Sequence, residues 1–176
     1  MSDVPLSPRL RRLIGVMGAG NDEHAALAEP LGRWIAEQSF DLLTGGGPGV
    51  MAAVCRGFQQ VPGRRGVAIG VLPAGPPKGY PNPWIDLAIL THLPQRGKEG
   101  AGPMSRNHIN ILSSAVVIAL PGGDGTRTEV ELALHYRKPL IAFLGADGRI
   151  EGMDRAALTV AVTLDEVTAF VWRQLG

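Results

Sequence analysis

The 176-residue sequence contains one cysteine, Cys55, so it cannot close an internal disulfide or assemble a cysteine zinc site. Such sparing use of cysteine points to the cytoplasm, and Cys55 itself reads as a small core residue. Aromatic residues make up only 5% of the chain, and 17 basic against 16 acidic side chains leave a formal net charge of +1. The composition therefore shows neither the basic stripe of a duplex-DNA binder nor the aromatic platforms of a single-strand binder, and nucleic acid is not an expected partner. No apolar run reaches the length of a membrane span, and the polar opening MSDVPLSPRLRR does not read as a signal peptide. With 45% hydrophobic and 19% charged residues, the chain has the balance of a folded protein rather than a disordered one.

Familiar catalytic and cofactor signatures are missing as well. The first glycine loop reads Gly15-Val16-Met17-Gly18-Ala19-Gly20 and not G-x-G-x-x-G, and the next apolar run ends in Thr44 rather than an acidic ribose ligand, which disfavours NAD or FAD. There is no Walker A run, no G-x-S-x-G elbow and no H-x-x-x-H pair among His24, His92, His108 and His135, so neither a P-loop, a nucleophilic triad nor a metal site is expected.

Glycine and proline are abundant, at 24 and 14 residues, and they punctuate a regular alternation. Apolar runs at 13–17, 40–44, 67–72, 86–91, 115–120, 139–144 and 158–162 predict strands; amphipathic stretches at 23–38, 104–112, 126–136 and 164–175 predict helices, as does a stretch with Pro48 in its first turn and Val50, Met51, Val54 and Phe58 as its apolar positions. Asn21 or Asp22 is the expected cap of the first helix. Residues 1–12 are expected to form a flexible tail and 13–176 a single domain. The pattern predicts an α/β fold: a doubly wound parallel sheet of about six or seven strands in three layers, its ligand site outside the carboxyl ends of the strands. Residues 73–83, with five prolines, are irregular: either a lid over that site or a plain connection.

Three glycine loops follow strands and precede helices, where backbone N–H groups and the helix dipole favour a phosphate. They supply Gly18 and Gly20, then Gly45, Gly46 and Gly47, then Gly122, Gly123, Gly125 and Thr126. Glu129 reads two ways: with Thr126 it matches a capping box, a pattern repeated at Thr163 and Glu166, yet at the ligand end of the sheet it suits a bound sugar. Arg106 opens a helix, where the dipole disfavours a cation and a phosphate partner would compensate.

The segments GGGPGVM at 45–51, SRNHIN at 105–110 and PGGDGTRTE at 121–129 resemble the LOG-type Rossmann superfamily. It includes cytokinin riboside 5'-monophosphate phosphoribohydrolases, often labelled lysine decarboxylase-like, and molybdenum-cofactor carrier proteins. The resemblance spans about residues 13–144 and implies a Rossmann-like fold. It further implies that the glycine loops hold the phosphate of a nucleoside 5'-monophosphate, and that Arg106 and Glu129 serve cleavage of its N-glycosidic bond with no cofactor required. The alternative it implies is a non-catalytic carrier of the molybdenum cofactor or a nucleotide. Arg106-Asn107 stands where the hydrolase branch carries Arg-Lys, which is closer to the carrier branch. Both branches imply a homo-oligomer, dimer or tetramer, for which an apolar face around Met51, Val54 and Ile109 is the expected interface.

Overall fold

The computed structural model describes residues 12–176, so the expected tail, but for Arg12, lies outside the described residues. Seven strands, β1 (Leu13–Met17), β2 (Asp41–Thr44), β3 (Ala68–Leu72), β4 (Leu87–Leu90), β5 (Val116–Ala119), β6 (Leu140–Phe143) and β7 (Val160–Ala161), form one sheet. All its pairings are parallel, in the order β4-β3-β2-β1-β5-β6-β7. Among the described residues five α-helices accompany them: α1 (Ala25–Glu37), α2 (Val50–Gln59), α3 (Asn107–Ser113), α4 (Asp124–His135) and α5 (Leu164–Leu175).

Alternation along each strand sorts the core into two halves. Ile14 and Val16 of β1, with Val116 and Ile118 of β5, pack against α1, α2 and α5. Met17 and Val117 face the opposite way, onto Ile111 of α3 and Leu132 of α4. Covered on both sides, the central strands can be apolar at every position, which is why they read as unbroken hydrophobic runs. The result is the expected Rossmann-like, three-layered α/β arrangement. Strand order reverses between β1 and β5, and this reversal positions the site described below.

Helix boundaries depart from the sequence reading for local reasons. Neither Asn21 nor Asp22 is the N-cap of α1; that position belongs to His24, in the left-handed region at φ 41°. Asp22 instead accepts the His24 backbone N–H at 3.1 Å, which lengthens the loop. Helix α3 starts at Asn107 rather than Met104 because the backbone of Met104 is engaged on both sides by Gln95. The capping box at Thr163 and Glu166 forms as the sequence suggests. No helix among the described residues is long and apolar enough to cross a membrane.

The expected apolar face around Met51, Val54 and Ile109 does not exist as one surface. Val54 lies in the core beneath α1, Met51 is buried at the carboxyl end of the sheet, and Ile109 is exposed on the other layer. Large exposed apolar side chains occur instead at Trp84, Leu87, Ile89 and Leu90 near the β4 edge, and at Met104, Ile109, Leu112 and Leu134 around α3 and α4.

Helices α1 and α2 touch backbone to backbone. A Cβ at Gly32 would strike the Val54 carbonyl, and one at Gly57 would strike the Glu29 carbonyl. Arg56 bridges the same pair, donating to Glu23 and Glu29. Gly32→Ala must push the helices apart, so urea denaturation is expected to show a loss of roughly 1–3 kcal/mol; unchanged stability would show that the contact yields.

Candidate functional site

Outside the carboxyl ends of β1 and β5, the order reversal opens a crevice, the usual ligand position in doubly wound sheets. Its floor is tied together by backbone. The Ala19 N–H donates to the Pro121 carbonyl at 3.1 Å, and the Val50 N–H donates to the Ala19 carbonyl at 2.8 Å, which joins the β1 loop to the β5 loop and to α2.

The cavity there, of about 250 Å³, has two kinds of wall. Val16, Met17, Met51 and Tyr80 form an apolar and aromatic side. The polar lining consists of Gly123, Gly125 and Thr126 at the start of α4, together with Arg96, Arg106, Asn107 and Glu129. The N-cap of α4 is Gly123, with no side-chain cap, so the first N–H groups of the helix remain available to an anion. Asp124, which would oppose an anion there, is paired with Arg127 at 3.0 Å.

This start also resolves the two readings of Glu129. With α4 beginning at Asp124, Thr126 lies inside the first turn and is not a cap, so the Thr126–Glu129 pattern is no capping box. The Glu129 carboxylate instead accepts from Nη1 of Arg106 at 3.3 Å. Both side chains are almost fully buried, and Arg106 Nη1 also donates to Asn107 Oδ1 while its Nε has no hydrogen-bond partner among the described residues. Burial holds the Glu129 carboxyl above the usual carboxylate range, outweighing the opposing pull of Arg106 and, behind it, Asn110.

Of the residues singled out from sequence, Gly18, Gly20, Gly123, Gly125, Thr126, Arg106 and Glu129 line this one cavity. Gly45, Gly46, Gly47 and Gly122 do not. Their place is behind the wall: a Cβ at Gly45 would collide with the Arg106 guanidinium, and one at Gly47 with the Tyr80 ring. Three adjacent glycines thus let a buried arginine and a tyrosine approach the backbone closely. Gly122 is packed in the same way beneath the Thr126 hydroxyl.

Sequence reasoning missed Tyr80, Arg96 and Asn107 as lining residues. Tyr80 sits in the proline-rich segment 73–83, which is pinned rather than merely connecting: Asn82 donates its backbone N–H to Gly46 and its side-chain amide to Gly47, each at 2.8 Å. A lone aromatic residue in an otherwise irregular segment was the available signal. His108 proves to be a clasp, with Nε2 donating to the Gly102 carbonyl at 2.9 Å and Nδ1 facing the Tyr136 hydroxyl at 2.7 Å. Among the described residues, no three His, Cys, Asp or Glu side chains gather as a metal site. Cys55 lies fully buried, with its thiol pushed up to about 12 by that burial.

A parallel sheet with a crevice at its reversal point places the chain among Rossmann-like α/β proteins. The SLOG cluster4 family model matches residues 11–168, and the chain belongs to that family. This agrees with the resemblance to LOG-type proteins. An uncharacterised protein from Archaeoglobus fulgidus is 34% identical over 142 residues, 80% of this chain and 84% of that protein. Two solved structures align over 93% of this chain and 97% of their own. They are the molybdenum cofactor binding protein from the phototrophic bacterium Rippkaea orientalis, with a TM-score of 0.74 and 30% identity, and the molybdenum cofactor carrier protein from Chlamydomonas reinhardtii, with 0.70 and 32%.

Because the folded state holds the Glu129 proton to higher pH than the unfolded chain does, its contribution to stability is complete below the ordinary value of 4.5 and is lost as pH rises through the raised value. Unfolding free energies of wild type minus Glu129→Gln, followed upward from that ordinary value, are therefore expected to fall with pH. A difference that grows with pH would mean that Arg106 outweighs burial.

Proposed function

We propose that this chain binds the phosphate ester of a planar heterocycle, a molybdenum-cofactor-type pterin or a nucleotide, and holds it without turnover. One observation carries this reading: the uncapped start of α4 and the buried Arg106 share a cavity with the apolar wall of Met17, Met51 and Tyr80. An anion site thus lies beside a surface suited to a flat ring. The volume of about 250 Å³ lies just below the roughly 300–1,000 Å³ usual for ligand pockets, in keeping with a cavity that holds no more than a ring and its phosphate. Residues for the phosphate are Gly123, Gly125, Thr126 and Arg106, with Arg96 at the exposed rim. Any metal in the ligand must arrive with its own ligands, since no cluster of described residues offers them. The relatives that bind or carry the molybdenum cofactor support the same reading, and the single buried cysteine suits a cytoplasmic protein.

Hydrolysis is the second reading, and Glu129 favours it. A buried carboxylate lining the cavity beside Arg106 is placed to stabilise positive charge developing at an anomeric carbon. As a carrier, the chain is expected to release no free base or ribose 5-phosphate from AMP, other nucleoside monophosphates or N6-modified AMP, followed by chromatography. Base release that disappears in Glu129→Gln would overturn the carrier reading and establish a phosphoribohydrolase. Calorimetry adds a second check: Tyr80→Leu should weaken binding of the heterocyclic phosphate ester roughly tenfold while leaving inorganic phosphate unaffected.

Self-association, as a dimer or tetramer, belongs to the same proposal. The exposed Met104, Ile109, Leu112 and Leu134 around α3 and α4 give a second copy an apolar surface to cover. Sedimentation velocity is expected to report a mass above the 18.6 kDa of one chain, and a monomer at all concentrations would refute it.

A further inference from the structure

A second cleft, of about 390 Å³, adjoins the first cavity and shares its Ala19, Asn21 and Gly123 walls. Together they make a trough across the point where strand order reverses. Tyr80, from the segment after β3, lines only the first cavity, and Asp147, Arg149 and Glu151, which follow β6, line only the second. Doubly wound sheets that bind two-part ligands lay them across this reversal, one half on each side.

The far wall is built in rather than loosely attached. The Gly122 N–H donates to the Arg149 carbonyl at 3.2 Å, and the Glu151 N–H donates back to the Gly122 carbonyl at 2.9 Å. Arg155 holds the turn from behind, donating to the Gly145 and Gly148 carbonyls, each at 2.7 Å. Residues after β6 are thereby locked to the loop that precedes α4.

The two lobes differ in chemistry. Arg96 and Arg106 make the first cationic, against Glu129 alone. Asp22, Asp147 and Glu151 make the second acidic, against Arg149. Asp22 is engaged with His24, whereas Asp147, Arg149 and Glu151 make no side-chain hydrogen bond or ion pair among the described residues. A phosphate is repelled from the second lobe and belongs at Gly123, on the ridge between the two. Carboxylates accept hydrogen bonds, so the second lobe suits hydroxyl groups.

We propose that the ligand continues past its phosphate: it is a phosphodiester- or diphosphate-linked compound whose second half, a hydroxyl-rich sugar or nucleoside, occupies the cleft of Asp147, Arg149 and Glu151. This rests on the phosphate-binding reading of the first cavity and extends it. Calorimetry on the full chain with ADP and ADP-glucose, and with GDP and GDP-mannose, tests it. At least one sugar derivative is expected to bind about tenfold more tightly than its parent diphosphate, the worth of one or two added hydrogen bonds. In the double variant Asp147→Ala, Glu151→Ala, two exposed positions, that ratio should fall to about one while the parent diphosphate keeps its affinity within about twofold. Equal affinities within both pairs for the wild type, or a ratio that survives in the variant, overturns the extension and leaves the phosphate site intact. Failure of all four compounds, and of AMP and inorganic phosphate, removes the phosphate site and the extension with it.

Discussion

The buried ion pair between Arg106 and Glu129 is the constraint around which the site is organised. Neither charge is stable alone at this depth, and removing one partner of such a pair typically costs about 3–5 kcal/mol. The pair therefore ties the start of α3 to α4. It also explains the glycine at 45, because the guanidinium lies where a Cβ there would be. With Gly47 seating Tyr80 and Asn82 bonded to Gly46 and Gly47, one short loop sets the position of a cation and of an aromatic ring.

Above that pair, the sheet supplies the rest. The reversal between β1 and β5 opens the crevice, and the absence of a side-chain cap on α4 leaves its first N–H groups free for an anion. In the proposed phosphate site the anion would be held by backbone groups and helix polarity, with Arg106 as a buried charge behind them. Glu129 is the ambiguous member. Its raised proton affinity suits a group that takes up a proton, and so gives up its charge, when an anion approaches Arg106, and the same position suits a carboxylate facing an anomeric carbon.

Much of the fold was legible because parallel central strands are apolar at every position and their helices are amphipathic. β1 and α5 fall at the expected residues, and the other elements fall close to them. Boundaries failed where side chains from elsewhere intervened, as with Gln95 holding Met104 out of α3. The candidate site was legible in the glycine loops, in Arg106 and in Glu129, since each carries a local pattern. Tyr80, Arg96 and Asn107 were not, because only the tertiary fold brings them to the crevice. The capping-box reading of Thr126 and Glu129 failed for a related reason: the helix starts at Asp124, two residues before the threonine, which no local signal marks. Of the expected interface, Met51 and Val54 went to the cavity and the core, as helix periodicity alone does not say which apolar face is covered.

The most direct measurement is the identity of whatever small molecule the native protein holds. It is obtained by denaturing protein purified under gentle conditions and analysing the released fraction by mass spectrometry and phosphorus assay. A heterocyclic compound bearing phosphate, retained by wild type and lost from Arg106→Ala, is the expected result. A stoichiometric ligand without phosphorus, or one retained equally by both proteins, would contradict a phosphate site built on Arg106.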